Sequence, residues 1–170
     1  DKSATFDMEA LKNRARQTAF LVPGLSITIN DHRNGVPEVE NFSFAGGISE
    51  FCSHIAVGEA VSPVIRLSGT SHFTETIQVL DTKGHLVTQE VERDMFVDIA
   101  MQWNNGYETD VRSFVNIIAT PKGGTHLTGF ERSLTKFFNE ILRTNKILKA
   151  SEENVTKDDI LEGFNAILTV

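Results

Sequence analysis

Near the N-terminus, hydrophobic residues recur at the spacing of one helix face. Met8, Leu11, Ala15 and Ala19 predict a helix over residues 6–20, which Asp7 could cap. Three basic residues on this helix are expected to form a solvated face.

After Pro23-Gly24, the chain alternates strictly between apolar and polar positions. Leu25, Ile27 and Ile29 share one face, which predicts a half-buried strand over LSITIN. A short strand over NFSF and a short helix opened by Gly46-Gly47 follow.

From residue 64 the pattern is that of a sheet. The predicted strands are VIRL, TETIQVL, HLVTQEV, MFVDIAMQW and VRSFVNIIAT. Turns are expected at residues 81–84 and 104–106.

A long amphipathic helix is predicted over roughly residues 125–148. Its apolar stripe comprises Phe130, Leu134, Phe137, Phe138, Ile141 and Leu148. A short helix over DDILEGF and a final strand over NAILTV complete the pattern. We therefore predict an α+β domain over residues 1–170, with a mostly antiparallel sheet and helices packed on one side.

Composition agrees with a single compact domain. The 170 residues are 40% hydrophobic and 23% charged. No apolar run approaches the ~20 residues that span a bilayer, and the lone Cys52 fits a reducing compartment. We expect a cytoplasmic protein with no membrane association. The chain begins at Asp1 and ends in the strand-like AILTV, which suggests a piece excised from a longer polypeptide.

Charge is unevenly distributed along the chain. The net charge is −7, yet residues 121–149 carry +4 and the remainder −11. Within the basic segment, Arg132, Lys136 and Arg143 fall on one line of the predicted helix, and Lys122 precedes it. Such a line suits a phosphate backbone, although a solvated helix face has the same pattern. These four residues are the candidate DNA-binding residues.

The sequence PKGGTH, just before this helix, invites comparison with a phosphate-binding loop. A P-loop places its lysine after the last glycine, whereas Lys122 precedes the glycine pair, so the match fails. The glycines are interpreted as a tight entry into the helix, with Thr125 or Thr128 as the N-cap. His126 is expected to be a local hydrogen-bonding residue.

No other pattern of catalytic chemistry is visible. The five histidines lack metal-ligand spacing, and neither Ser71 nor Ser113 lies in a nucleophile motif. We therefore assign no catalytic, cofactor-binding or metal-ligating residue.

Several segments carry a resemblance to a known family. In order, they are FDMEALKNRARQTAFLVPGLSITINDHR, FSFAGGISEF, DIAMQWNNGYETDVRSFVNIIATPKGGTHLTGFERSLTKF and VTKDDILEGFNAILTV. Together they resemble the transducer domain of the B subunit of bacterial type IIA DNA topoisomerases, which comprise DNA gyrase and topoisomerase IV. The resemblance covers nearly the whole chain.

The resemblance implies a ribosomal protein S5 domain 2-like fold with a left-handed βαβ connection. It places a GHKL-type ATPase domain upstream and a TOPRIM region downstream, both outside this chain. ATP and Mg²⁺ would serve the full-length enzyme, in which the transducer's own ATP contact is a lysine in a Q-T-K loop beyond Val170. The isolated fragment is therefore expected to bind neither and to be inactive.

The resemblance also implies partners. These are double-stranded DNA in a cavity lined by transducer surfaces, the A subunit in an A2B2 assembly, and the chain's own ATPase domain. The fragment alone is expected to be monomeric or only weakly self-associating. The GGTH corner would be structural. One departure is Glu131, since many relatives have Arg or Lys directly after GF.

A hairpin over Ser71–Val91 looks longer than in many gyrase B sequences, which favours the topoisomerase IV branch. Two other classes of function stay open. One is an RNA-associated nucleic-acid-binding module, because S5-like folds also occur in such proteins. The other is a purely structural interaction domain, in which Arg132, Lys136 and Arg143 would have no role in activity.

Overall fold

The computed structural model describes residues 6–33 and 35–170. The elements, in chain order, are α1 (Met8–Leu21), β1 (Ser26–Asp31), β2 (Glu38–Ser43), α2 (Gly47–Ile55), β3 (Ile65–Leu80), β4 (Leu86–Trp103), β5 (Asp110–Val115), β6 (Ile118–Ala119), α3 (Thr125–Thr144), α4 (Lys157–Leu161) and β7 (Phe164–Thr169). Among the helices in these ranges, none combines the length and apolar character needed to cross a bilayer.

The strands form two sheets. β1 and β2 make an antiparallel hairpin, and the larger sheet has the order β3-β4-β7-β5-β6. All neighbours in the larger sheet are antiparallel except β5 and β7, which are parallel. The chain between these two runs through α3 and α4, so the predicted βαβ connection is present. The α+β class is confirmed.

Helices cover both faces of the larger sheet, so the prediction that they pack on one side was wrong. α1 and α2 contribute Phe20 and Cys52 to one core with Ile167 of β7. α3 and α4 pack against the opposite face, where Leu134 meets Ala166. The reason lies in β7, which is apolar at successive positions and therefore needs a hydrophobic layer on each side.

β3 and β4 are much longer than predicted. The four separate segments expected between residues 64 and 103 merge into two strands, which pair without interruption from Ile65–Met101 to Leu80–Leu86. β7 pairs only with residues 98–103 of β4. The rest of β3 and β4, residues 68–97, therefore projects as a two-stranded ribbon.

The turns follow the sequence signals closely. At the tip of the ribbon, the Asp81 carboxylate accepts the backbone N–H groups of Lys83 and His85, each at 2.8 Å. The predicted strand VRSFVNIIAT is instead broken at Asn116, whose φ of 53° ends β5 before β6 begins. The backbone N–H of Asn116 donates to the Val170 carbonyl at 2.7 Å, which holds this break against the end of β7.

The turn that leaves β1 is fastened by an ion pair. Arg33 Nη2 lies 2.7 Å from Asp31 Oδ2, and the Arg33 backbone N–H also donates to this carboxylate. These contacts lower the pKa of Asp31 from its ordinary 3.8 to about 2.

We therefore expect an acid-dependent contribution to stability from Asp31. Because its folded-state pKa is depressed, the contribution is complete above about pH 4 and is lost as the pH falls towards about 2. Asp31→Asn should lower the urea midpoint near neutral pH, and its curve should converge with the wild type near pH ~2. A difference between the two proteins that did not change with pH would contradict the assignment.

Candidate nucleic-acid interface

Hydrogen bonds between polar side chains connect the GGTH corner to β5. The hydroxyl oxygens of Ser113 and Thr120 lie 2.6 Å apart, and Thr120 Oγ1 lies 3.2 Å from His126 Nε2. Thr120 Oγ1 also donates to the Ser113 carbonyl. The prediction that His126 is a local hydrogen-bonding residue is confirmed.

α3 begins without a side-chain cap. Its N-cap is Gly124, so the predicted caps at Thr125 and Thr128 were wrong. The Thr128 hydroxyl instead donates back to the Gly124 carbonyl, as a hydroxyl inside a first turn can. Gly123 has a φ of 74°, a left-handed conformation that favours glycine and turns the chain into the helix.

The start of α3 does not fit a nucleotide phosphate. A phosphate cradle requires open backbone N–H groups with no side chain in front of them. Here the His126 imidazole lies against Gly124, close enough that an added Cβ would fall 2.7 Å from its Cε1 atom. Within the described residues, no three His, Cys, Asp or Glu side chains come together as a metal site requires.

α3 is anchored by aromatic side chains. Phe130 and Phe138 pack with Trp103 and Phe164 on the sheet, and Leu134 is buried between them. The predicted stripe is only partly buried, because Phe137 is 54% exposed. Phe137 lies one helical turn after Ser133, on the same side of α3. Ser133 borders a cleft beside β4, so this side of the helix does not face the core that α3 shares with α4.

The structure brings three of the four candidate DNA-binding residues together. Arg132, Lys136 and Arg143 line one groove between α3 and the segment that leads to α4. Lys122 does not line it and lies exposed in the turn between β6 and α3. The spacing argument for the helix therefore holds, and Lys122 belongs to a separate surface.

Arg143 is committed to contacts within the chain. Its guanidinium donates to Asn154 Oδ1 at 2.7 and 3.0 Å, to the Lys149 carbonyl at 3.0 Å and to the Glu152 carbonyl at 2.9 Å. These bonds clamp the segment 145–156 onto α3. Arg143 therefore builds one wall of the groove.

Arg132 and Lys136 have more freedom. Both are exposed, and within the part of the chain that the structure describes, the one ion pair of Lys136 joins its Nζ to Glu140 Oε1 at 3.7 Å. Exposed pairs of this kind contribute little, so the ammonium group can exchange this partner for another anion. Among the described residues, Arg132 has no ion pair.

Lys157 also lines the groove, and sequence reasoning missed it. Its Nζ lies 3.3 Å from Glu131 Oε2. Lys157 thus places a positive charge beside Glu131, the position where many relatives have Arg or Lys. A signal was present, because Lys157 is the first residue of α4, where the helix dipole disfavours a positive charge. A lysine placed there is more easily explained by a role outside the helix.

Comparison with known proteins identifies the chain's relatives. A family profile described as DNA gyrase B matches residues 47–170. Over 169 residues, the chain is 34% identical to the DNA gyrase B protein of Streptococcus pneumoniae and 33% identical to the B subunit of DNA topoisomerase 4 from Staphylococcus aureus. Each match covers 99% of this chain but only 23% and 22% of those proteins.

Solved structures share the fold. The 43K ATPase domain of Thermus thermophilus gyrase B, solved with an aminocoumarin, superposes with a TM-score of 0.72 at 24% identity. The alignment covers 98% of this chain and 40% of that one. A topoisomerase IV ATP-binding domain from Francisella tularensis gives a TM-score of 0.64 at 18% identity.

The two branches of the family match about equally well, so the preference for topoisomerase IV stays a prediction. The profile covers more than half of the chain, and relatives in both branches align over nearly all of it. This chain belongs to the DNA gyrase B family, the B subunits of type IIA DNA topoisomerases.

Proposed function

We propose that this chain is the transducer domain of the B subunit of a type IIA topoisomerase. It would couple ATP binding and hydrolysis in a neighbouring ATPase domain to closure of a DNA gate and passage of a duplex. The chain spans less than a quarter of the length of its curated relatives, so it would supply one part of an ATP-hydrolysing isomerase. Alone, it would be inactive.

The observation that carries this proposal is the basic groove on α3. The chain as a whole is acidic, at −7, yet Arg132, Lys136 and Lys157 stand on one rigid surface. Cations held on a well-packed helix suit a phosphate backbone, because the backbone that carries them is already ordered before they bind. Arg132 and Lys136 would contact phosphates directly.

The other two predicted DNA-binding residues would act differently. Arg143 would position the segment that carries Lys157, since its donors are already used within the chain. Lys122, on its separate surface, would contact a duplex only where it passes the corner before α3.

Coupling would use the sheet and its helices as one body. α3 is packed on the sheet through Phe130 and Phe138, so a displacement of α3 caused by DNA in the groove would also move β4 and β7. A few kcal/mol of differential contact between two states is enough to shift such an equilibrium. ATP and Mg²⁺ would be held by the neighbouring domain, since the start of α3 does not fit a phosphate.

The partners of the complete enzyme would be duplex DNA and the A subunit, in an A2B2 assembly in the cytoplasm. Dimerisation would rest mainly on the ATPase domain. The isolated chain would be monomeric or only weakly self-associating.

Charge reversal in the groove tests the proposal. In the full-length protein with its A partner, Arg132→Glu combined with Lys136→Glu should abolish the stimulation of ATPase activity by duplex DNA and leave the intrinsic rate intact. The slope of log affinity against log salt should fall by about 2. Lys83→Glu with Lys146→Glu makes the same change in net charge outside the groove and is the matched control.

Two results would contradict the proposal. If the control pair reduced DNA stimulation as much as the groove pair, net charge alone would explain the effect. If wild-type protein bound structured RNA more tightly than duplex DNA, an RNA-associated module would be the better interpretation.

A further inference from the structure

The ribbon formed by residues 68–97 leaves its outer strand open. β3 stands at one end of the sheet order, so no strand within residues 6–33 and 35–170 pairs with one row of its backbone N–H and C=O groups. An isolated two-stranded hairpin is only marginally stable in water, whereas three or more strands with a hydrophobic face are stable. Pairing with a further strand would therefore stabilise a ribbon of this length.

One face of the ribbon is mainly apolar, interrupted by the Glu75–Arg93 ion pair, and the other is mainly polar. The apolar face lies on the same side of the sheet as α3, because it continues the alternation that begins at Met101. It comprises Phe73, Ile77 and Val79 of β3 with Val87, Val91, Met95 and Val97 of β4, and Leu67 and Ile99 continue it into the larger sheet. The opposite face carries polar pairs such as Arg66–Asp98 and His72–Asp94. Several side chains of the apolar face are exposed to solvent, among them Leu67, Phe73 and Val87.

The open edge has little of the usual protection, although Glu75 places one charge on its apolar face. Proteins blunt exposed edges with lysine, proline, bulges or short strands. β3 is 16 residues long, has no lysine or proline, and pairs with β4 without a bulge. Its only charged residues at neutral pH are Arg66 and Glu75. An edge of this kind is suited to pairing.

We propose that β3 pairs antiparallel with β3 of a second copy of this chain, about a twofold axis at His72. The two ribbons would join into a four-stranded sheet. When two antiparallel copies of β3 pair about His72, each even-numbered residue lies opposite an even-numbered residue of the other copy, and each odd-numbered residue opposite an odd-numbered one. The apolar faces of the two ribbons therefore lie on the same side of the joined sheet.

The sequence of β3 is self-complementary in this register. On the apolar face, Ile65 would meet Val79 and Leu67 would meet Ile77. On the polar face, Thr70 would meet Thr74. Shifting the register by one position would place apolar side chains of one copy beside polar side chains of the other.

The charges also tolerate the pairing. Glu75 would lie opposite Gly69, and Arg66 opposite Gln78, so no like charges meet directly. Between residues 65 and 98 there are six acidic residues and three basic ones, which disfavours a nucleic acid as the occupant. This contact would be the site of the weak self-association expected for the isolated chain, and it does not depend on the proposed DNA groove.

Cysteine cross-linking in the 170-residue chain tests the register. His72→Cys should form a disulfide-linked dimer under mild oxidation, because residues directly opposite in an antiparallel pair lie within disulfide reach. The natural Cys52 is buried and gives a low background. Thr74→Cys should not link to itself, since its own copy would lie about 13 Å along the strand. A mixture of Thr70→Cys and Thr74→Cys should link as a heterodimer.

Charge variants test the contact without oxidation. Leu67→Lys with Ile77→Lys places like charges opposite each other, and sedimentation should then show monomer only. Leu67→Lys with Ile77→Glu places opposite charges there and should restore a concentration-dependent shift towards dimer at low salt. Circular dichroism should show that both variants are folded.

The proposal would be overturned by either of two results. One is equal cross-linking rates for His72→Cys and Thr74→Cys, which would show random collision. The other is a wild-type chain that sediments as a monomer at every concentration tested.

Discussion

Replacing Gly163 with alanine is expected to lower the free energy of unfolding by about 3 kcal/mol or more. Gly163 joins α4 to β7 with a φ of 66°, in the left-handed region that residues with a Cβ avoid. An added Cβ would also collide with the backbone carbonyl oxygens of Asn104 and Gly106. These are main-chain atoms, and Asn104 is tied to Gly163 by a 2.8 Å backbone hydrogen bond, so neither side can yield easily.

Chemical or thermal unfolding measures this effect. For a domain of this size, a loss of about 3 kcal/mol corresponds to a fall in Tm of roughly 6–12 °C. Gly129→Ala is the matched control, because Gly129 lies inside α3 with no atom within 4 Å of the added Cβ. That substitution should raise stability by up to about 1 kcal/mol. Equal effects of the two substitutions would show that the corner at Gly163 is not constrained as described.

Asn139→Leu is expected to cost about 2–3 kcal/mol. Asn139 is 9% exposed, and its amide holds the backbone of Val155 from both sides. Nδ2 donates to the Val155 carbonyl and Oδ1 accepts the Val155 N–H, each at 2.9 Å, and Nδ2 also donates to the Thr135 carbonyl. Leucine has nearly the same size and can make none of these bonds. The backbone groups of Val155 would be left without their partner.

This substitution should also weaken the basic groove. Val155 is two residues before Lys157, so releasing it loosens the base that α4 contributes. Under the function proposed above, DNA stimulation of the ATPase in the full-length protein should fall while the intrinsic rate is retained.

Asn145→Leu is the control, since the Asn145 side chain is exposed and makes one bond, to Ile141. It should change the free energy of unfolding by less than about 0.5 kcal/mol. If both asparagines behaved alike, the segment 145–156 would not depend on the buried amide.

Local patterns predicted the elements better than their arrangement. Helical spacing found α1 and α3 within a few residues at each end, because it depends only on neighbours along the chain. The sequence did not show that helices cover both faces of the sheet. That arrangement follows from the position of β7 between β4 and β5, where both of its faces are buried. The full length of the ribbon was missed because VIRL and TETIQVL were predicted as separate strands, whereas pairing with β4 continues without interruption from one to the other.

The candidate site divides in the same way. The shared line of Arg132 and Lys136 follows from helix geometry and was predictable. The clamp made by Arg143 and the position of Lys157 depend on how the segment 145–156 folds back, which no local pattern contains. Lys122 is close to the basic helix in sequence but does not line the groove, because it lies in the turn before α3, and its DNA contact stays a prediction.

The central place of β7 has a consequence for how the chain folds. β7 follows all the other strands in sequence, yet it is the neighbour of both β4 and β5. Until it inserts, the ribbon and the β5–β6 hairpin share no hydrogen bonds, and both hydrophobic cores lack residues that β7 supplies. Assembly of the sheet therefore waits for contacts between distant parts of the chain, and we expect this to slow folding.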